Sequence, residues 1–288
     1  MRSLLYIVGS CLVLGANADY PETTTITIPY VGTCTTSTTL TPCTGPVTVV
    51  IETPIATPVC TPTATSTPGP KPTGACPLVN PLCPPSGLNI DYYANPFAGY
   101  SSGSLPPSYY LTEGLTPLDS SLTNETFFPQ DVSPTGLPII YPKPGLPYYV
   151  GWKRDTNGGV IVDGNNFTLV YQGFYRAPAT GTYQLCITAD NENALYFGAG
   201  NAFDCLDGKA STDVEPRIIS TGGSFINGIN CTSVDLVEGF YYPVRNVMGD
   251  WQGPSAFNFT IDAPGVPFPD RTKDFTGNVY PLDCGIFL

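Results

Sequence analysis

Residues 168–197 read TLVYQGFYRAPATGTYQLCITADNENALYF. Three runs rich in β-branched and aromatic residues stand out, Thr168–Arg176, Thr182–Thr188 and Ala194–Phe197, separated by a Pro/Gly break and by a cluster of Asp, Asn and Glu. Short runs of this composition, bounded by turn residues, are predicted strands. Outward from them, Leu88–Tyr93, Leu236–Tyr242 and Phe257–Ile261 read the same way. With 32 prolines and 30 glycines and no sustained 3.6-residue period, the class is all-β, and the stretch 75–288 is long enough for one β-sandwich core.

Ahead of that domain the composition changes twice. Residues 19–57 are Thr-rich with β-branched runs at Thr23–Pro29 and Val47–Pro54, which reads as a small β unit of two or three strands, its middle loop within reach of a Cys34/Cys43 clip. Residues 58–74 shift to Pro and Thr, an extended linker with hydroxyls open to O-glycosylation. Residues 1–18 carry Arg2, a short apolar run and Ala16-Asn17-Ala18, the pattern of a signal peptide. The apolar run is too short to span a bilayer, for which roughly 20 apolar residues are needed, and no other stretch approaches that length. At the other end, 278–288 lacks the apolar tail of a lipid-anchor signal.

Export fits the cysteines and sequons. Of ten cysteines, nine remain once Cys11 is removed with the signal, an odd number for a chain that would form disulfides. Sequons at Asn124, Asn166, Asn230 and Asn258 are candidate N-glycosylation sites. The formal charge of −12 disfavours nucleic acid as a partner. The absence of histidine removes the commonest general base and metal ligand, leaving carboxylate chemistry of the glycosidase kind as the enzymatic alternative.

Two segments concentrate polar chemistry. Thr188–Asn193, expected as a loop between strands ending at Ile187 and starting at Ala194, packs Asp190, Asn191, Glu192 and Asn193 together, all oxygen donors suited to Ca²⁺. By itself such a run is more commonly a polar turn. Arg245–Gly253, expected as a loop after the strand Glu238–Val244, sets Asp250 beside Trp251. A carboxylate to hold a metal next to a flat ring to pack on a sugar suits a lectin, while a lone Trp is more commonly a core or rim aromatic.

The segments Gly173–Pro178, Gly181–Tyr183 and Glu238–Arg245 resemble the GLEYA adhesin domain of fungi, a relative of the protective-antigen-type lectin domains of flocculins and epithelial adhesins. The likeness covers about residues 75–288, and the Thr-rich N-terminal part resembles a single flocculin-type repeat, as in cell-agglutination proteins of fission-yeast type. The resemblance implies a protective-antigen-type β-sandwich and a Ca²⁺ ion held between the two segments. Where the lectin relatives have an Asp-Asp pair joined by a cis peptide, this chain has Asp190-Asn191, and where they have an Asn it has Asp250, so the set keeps two carboxylates and one amide. Trp251 and Asn246 are then the residues expected to touch a glycan, and Arg245 is expected to be structural. Relatives carry two adjacent cysteines where this chain has Cys205-Leu206. Cys76 and Cys83 are expected to join Cys205 and Cys284 in some order, Cys186 to pair with Cys231, and Cys60 to be the odd thiol. The function implied is a secreted or cell-surface adhesin, not an enzyme, whose partners are glycans of neighbouring cells. The alternatives are a structural wall glycoprotein without sugar binding and a carboxylate-based glycosidase.

Overall fold

Eleven consecutive residues, Asn166–Arg176, form a strand in which all but Gln172 and Arg176 are buried. A strand with one wet face alternates buried and exposed positions, so this one must be covered on both sides. In the computed structural model it lies in the middle of an antiparallel sheet with apolar clusters on both faces.

The structure describes residues 24–30, 36–40 and 48–54, for which the backbone alone is considered, and 72–76, 80, 82–95, 105–210, 213–222, 229–266 and 273–285. The chain divides into two units, Met1–Gly69 and Pro70–Leu288. In the first, β1 (Thr24–Tyr30), β2 (Thr36–Leu40) and β3 (Thr48–Pro54) form a sheet of order β1-β3-β2, with β1 parallel and β2 antiparallel to β3. The signal segment, residues 58–71 of the linker, Cys11, Cys34, Cys43 and Cys60 lie outside the described residues, whereas Gly74, at the linker's end, accepts from the Ala199 amide.

The second unit contains β4 (Leu88–Ala94), β5 (Asp119–Thr123), β6 (Phe127–Phe128), β7 (Ile139–Lys143), β8 (Leu146–Tyr149), β9 (Lys153–Asp155), β10 (Ile161–Asp163), β11 (Asn166–Arg176), β12 (Gly181–Phe197), β13 (Ile218–Gly222), β14 (Asn230–Leu236), β15 (Tyr241–Trp251), β16 (Ala256–Asp262) and β17 (Val279–Tyr280). One helical turn, α1 (Tyr109–Thr112), is the α-helix among the described residues, none of whose helices is long and apolar enough to cross a membrane. The main sheet runs β5-β4-β11-β15-β12-β16-β6, with β13 and β14 also on β12 and β17 on β11. It curls into two layers because β12 is shared. Residues 181–190 pair with β14 and β16, whereas 191–197 pair with β13 and β15.

The first cluster packs between the layers, where Tyr171 on β11 stacks on Phe257 of β16 at 4.9 Å. The second lies on the outer face of β11 and β15, where Val170, Phe174 and Val247 are covered by Cys76, Tyr110, Phe203 and Cys284. Burial of each such apolar side chain contributes about 1.5–3 kcal/mol. Gly173 lets β17 cross β11 closely, since a Cβ there (φ 153°) would stand 2.2 Å from the Tyr280 carbonyl oxygen. Three disulfides, Cys76–Cys205, Cys83–Cys284 and Cys186–Cys231, fasten the outer cover and β14, in agreement with the expected partners.

The structure corrects three expectations. Thr188–Asn193 is not a loop but the interior of the 17-residue β12, its polar side chains held by strands on both edges. The chain likewise stays in β15 from Tyr241 to Trp251, so the second segment is mostly strand. Conversely, Leu236–Tyr242 is not one strand, because a turn through Gly239 (φ 80°) carries the chain from β14 in one layer to β15 in the other. Among the sequons, Asn230 is exposed and Asn124 and Asn258 are half-buried. Asn166 is 8 % exposed opposite Trp251, a placement that disfavours that candidate.

The Cys83–Cys284 bridge closes the longest of the three loops, spanning 201 residues. Replacing both cysteines by Ser is expected to lower stability by about 2–4 kcal/mol, read as an earlier denaturant midpoint.

Candidate functional site

The switch of β12 from one layer to the other falls at the Asp190–Asn191 peptide, which is cis. Asp190 is the last residue paired with β16, opposite Ala256. Asn191 reaches across to β15, where its Oδ1 accepts from the Trp251 amide at 2.8 Å, and its Nδ2 donates to Asp190 Oδ1 at 3.0 Å. Asp250 precedes Trp251 on β15, and its carbonyl accepts from Asn95 Nδ2 at 2.9 Å. Asp190, Asn191 and Asp250 therefore meet where the two layers join.

The two carboxylates are treated differently. Asp190, 1 % exposed, accepts on both oxygens, from Asn191 and from Gln130 Nε2 at 3.2 Å. Asp250 is 0 % exposed, and neither of its carboxylate oxygens has a hydrogen-bond partner. Burial, then the Asp190 and Asp131 charges, hold the Asp250 carboxyl well above the ordinary range, against the pull of Arg154. Burial also raises Asp190, with Gln130 opposing it. An ionised carboxylate without a partner is very costly in a protein interior, so this site calls for a proton or a cation. Its donors, two carboxylates and an amide oxygen, suit a hard divalent ion.

A second layer of residues braces these groups. Arg154, over the Phe128 ring, donates from Nη1 to Asp131 Oδ1 (2.6 Å) and to the Ser255 carbonyl and hydroxyl, and from Nη2 to the Pro129 carbonyl. Asp131 and Ser255 are joined further through backbone amides, which fixes the segment that presents Gln130 to Asp190. Sequence reasoning missed Gln130, Asp131 and Arg154. They are remote along the chain and no local pattern marks them. Among the described residues, the group of three Cys or Asp ligand atoms within 4.8 Å of one another is Cys83, Asp283 and Cys284, and its two cysteines are in a disulfide. Asp131, Asp190 and Asp250 form no cluster that tight, in keeping with the engagement of Asp131 by Arg154.

At the rim, Trp251 is partly exposed at the end of β15. Gln252 follows with φ 59° and donates its amide to the Asn165 carbonyl at 2.6 Å, while the Asn165 side chain bridges the Tyr149 amide and carbonyl at the base of the β7–β8 hairpin. Asn246 does not belong to this rim. It lies mid-strand in β15, 0 % exposed between Tyr171 and Leu195, so a bound glycan cannot touch it. Arg245 is buried as expected, donating to Gln172 Oε1 (3.0 Å) and the Ala202 carbonyl, and burial lowers its pKa to about 10. Glu192, one step past the site, is raised to about 7 by burial.

Residues 167–263, which span both segments of the site, match the family model described as the GLEYA domain. The match takes in 97 of the chain's 288 residues. Among curated proteins the chain is similar to the Saccharomyces cerevisiae flocculation proteins FLO9 (30 % identical over 149 residues, 48 % of this chain and 10 % of that protein) and FLO1 (30 % over 146 residues, 46 % and 9 %). It thus spans about a tenth of the length of these relatives. Among solved structures, the epithelial adhesin 9 A domain of Candida glabrata in complex with Galb1-3GlcNAc shares the fold with a TM-score of 0.55, at 21 % identity over 74 % of this chain and 96 % of that one. The adhesin 6 A domain of the same organism gives a TM-score of 0.53 at 21 % identity, covering 73 % and 94 %.

Because the pKa values of Asp190, Glu192 and Asp250 are raised in the folded state, their contribution to stability is complete below the unfolded carboxyl values and is lost as pH rises through the folded ones. With chelator present, the thermal midpoint is expected to fall steadily from about pH 4 upward. Glu192→Gln should lessen the fall between the unfolded value of 4.5 and about 7, and Asp250→Asn should lessen it from the unfolded carboxyl value of 3.8 upward.

Proposed function

We propose that the protein is a glycan-binding cell-surface adhesin whose lectin site depends on Ca²⁺. The observation that carries this reading is the pair of unpartnered, fully buried oxygens of Asp250 beside the carboxylate of Asp190. Asp190, Asn191 and Asp250 would hold the ion, with backbone carbonyls of the turn at Gln252 as further oxygen donors. When bound, the cation neutralises the two carboxylates and offers open coordination positions to sugar hydroxyls. Trp251 sets its ring at the rim, where the C–H face of a pyranose can pack on it. The Asn165–Gln252 hydrogen bond fixes the turn beside it, so the site is largely formed before a sugar arrives. The likeness to flocculation proteins and to an adhesin domain crystallised with Galb1-3GlcNAc supports a glycan ligand and a place outside the cell, secreted or on the wall. The same relatives support binding rather than catalysis, and a carboxyl as enclosed as Asp250 has no direct reach to a glycosidic oxygen.

Calorimetric titration of the chelated protein with Ca²⁺ is expected to show one site. At an ion concentration 100 times Kd, stability should rise by about 2.7 kcal/mol. Asp250→Ala should abolish both the heat and the stabilisation. A glycan array is expected to show binding with Ca²⁺ and none with chelator. Trp251→Ala should lose glycan binding at least tenfold, equivalent to about 1.4 kcal/mol, and keep the Ca²⁺ heat. Binding on the array that is indifferent to chelator would refute the metal's role, and a wild-type protein that takes up Ca²⁺ but no glycan would refute the lectin reading.

A further inference from the structure

On the outer face of the smaller layer, Thr188 of β12, Asn258 of β16 and Phe127 of β6 lie side by side in register. Beside them is a nearly apolar slot of about 130 Å³, lined by Phe127, Ala189, Ile229, Ala256 and Asn258 among others. Ile229 at its edge is 43 % exposed, and the slot is open to solvent next to a polar amide. Phe127 is held from one side by Lys273, whose Nζ stands 3.6 Å from the ring centroid. Asn258 is half-buried, its Oδ1 enclosed without a hydrogen-bond partner, and it opens the sequon Asn258-Phe259-Thr260.

We propose that Asn258 carries an N-linked glycan whose first sugar packs into this slot against Phe127. An N-acetylhexosamine has the matching chemistry, since its C–H face can cover the aromatic ring and the aliphatic rim while its hydroxyls and acetamide face water. A sugar linked to an Asn directly across from Phe127 begins next to the ring, so little freedom remains to be lost when it packs. Two of the other three sequons are placed less favourably. Asn166 is buried, and Asn230 Nδ2 already donates to the Ile219 carbonyl at 2.7 Å. The transfer joins Asn258 Nδ2 to the anomeric carbon of an oligosaccharide carried on a lipid pyrophosphate. It breaks that carbon's bond to the pyrophosphate oxygen, and the released carrier takes up the amide proton. The glycan so placed covers an apolar patch and is part of the packed fold. This inference needs export through a glycosylating compartment but not the Ca²⁺ site.

The test uses the full chain secreted from a glycosylating eukaryotic host. Peptide mass spectrometry is expected to find Asn258 occupied. Trimming every glycan to its first sugar should leave the thermal midpoint unchanged, whereas complete removal should lower it by about 2–4 °C. Thr260→Val, which removes the sequon and keeps Asn258, should start from the lower midpoint and lose nothing further from that slot on complete removal. Phe127→Ala should likewise be insensitive to removal. If that variant fails to fold, Thr260→Val alone decides. An unoccupied Asn258, a midpoint equal with and without the whole glycan, or an undiminished loss in Thr260→Val would each overturn the proposal.

Discussion

Two carboxylates buried close together, one of them without a hydrogen bond, are the constraint around which the second unit is arranged. Asp190 and Asp250 come from different strands, and after burial the Asp190 charge is what most raises the cost of ionising Asp250. Arg154 is the described cation that opposes this, but its guanidinium is already engaged by Asp131, Ser255 and Pro129. A fold that buries such a pair loses stability unless a proton or a metal ion neutralises it. This cost is the ground for the proposed cation site.

The topology explains how the carboxylates come together. One long strand serves both layers, and the point where it changes partners leaves the regular ladder open at Asp190 and Asn191. At that point side chains take over from backbone pairing, as in the hydrogen bonds of Asn191 to Trp251 and of Gln130 to Asp190. The apolar clusters on both faces of β11 and β15, with disulfides fastening the outer cover, supply the rigidity that keeps the polar junction in place. Binding groups held by packed strands lose less entropy on capturing a ligand than groups on mobile loops.

The sequence made part of this legible. The runs from Thr168 to Phe197 identify strands because β-branched and aromatic residues suit a covered sheet, and the resemblance supplied the pairs Cys76/Cys205 and Cys83/Cys284 as one of two possible arrangements. The run Asp190–Asn193 misled, since these residues favour turns when the local backbone decides, and here pairing on both edges decided instead. Asn246 misled in the same way. The resemblance and a supposed loop placed it against a glycan, but its strand register points it between the layers. Gln130, Asp131 and Arg154 were out of reach because their role comes from segments that the chain brings together only when folded.

The central claim, that Asp190, Asn191 and Asp250 enclose one hard cation, is tested most directly by a crystal structure of the protein grown with a lanthanide in place of calcium and measured at the lanthanide absorption edge. The account calls for an anomalous peak between the two layers, within about 2.3–2.6 Å of oxygens from all three residues. A map at saturating ion with no peak there, and both carboxyls protonated and hydrogen-bonded to protein or water, would contradict it.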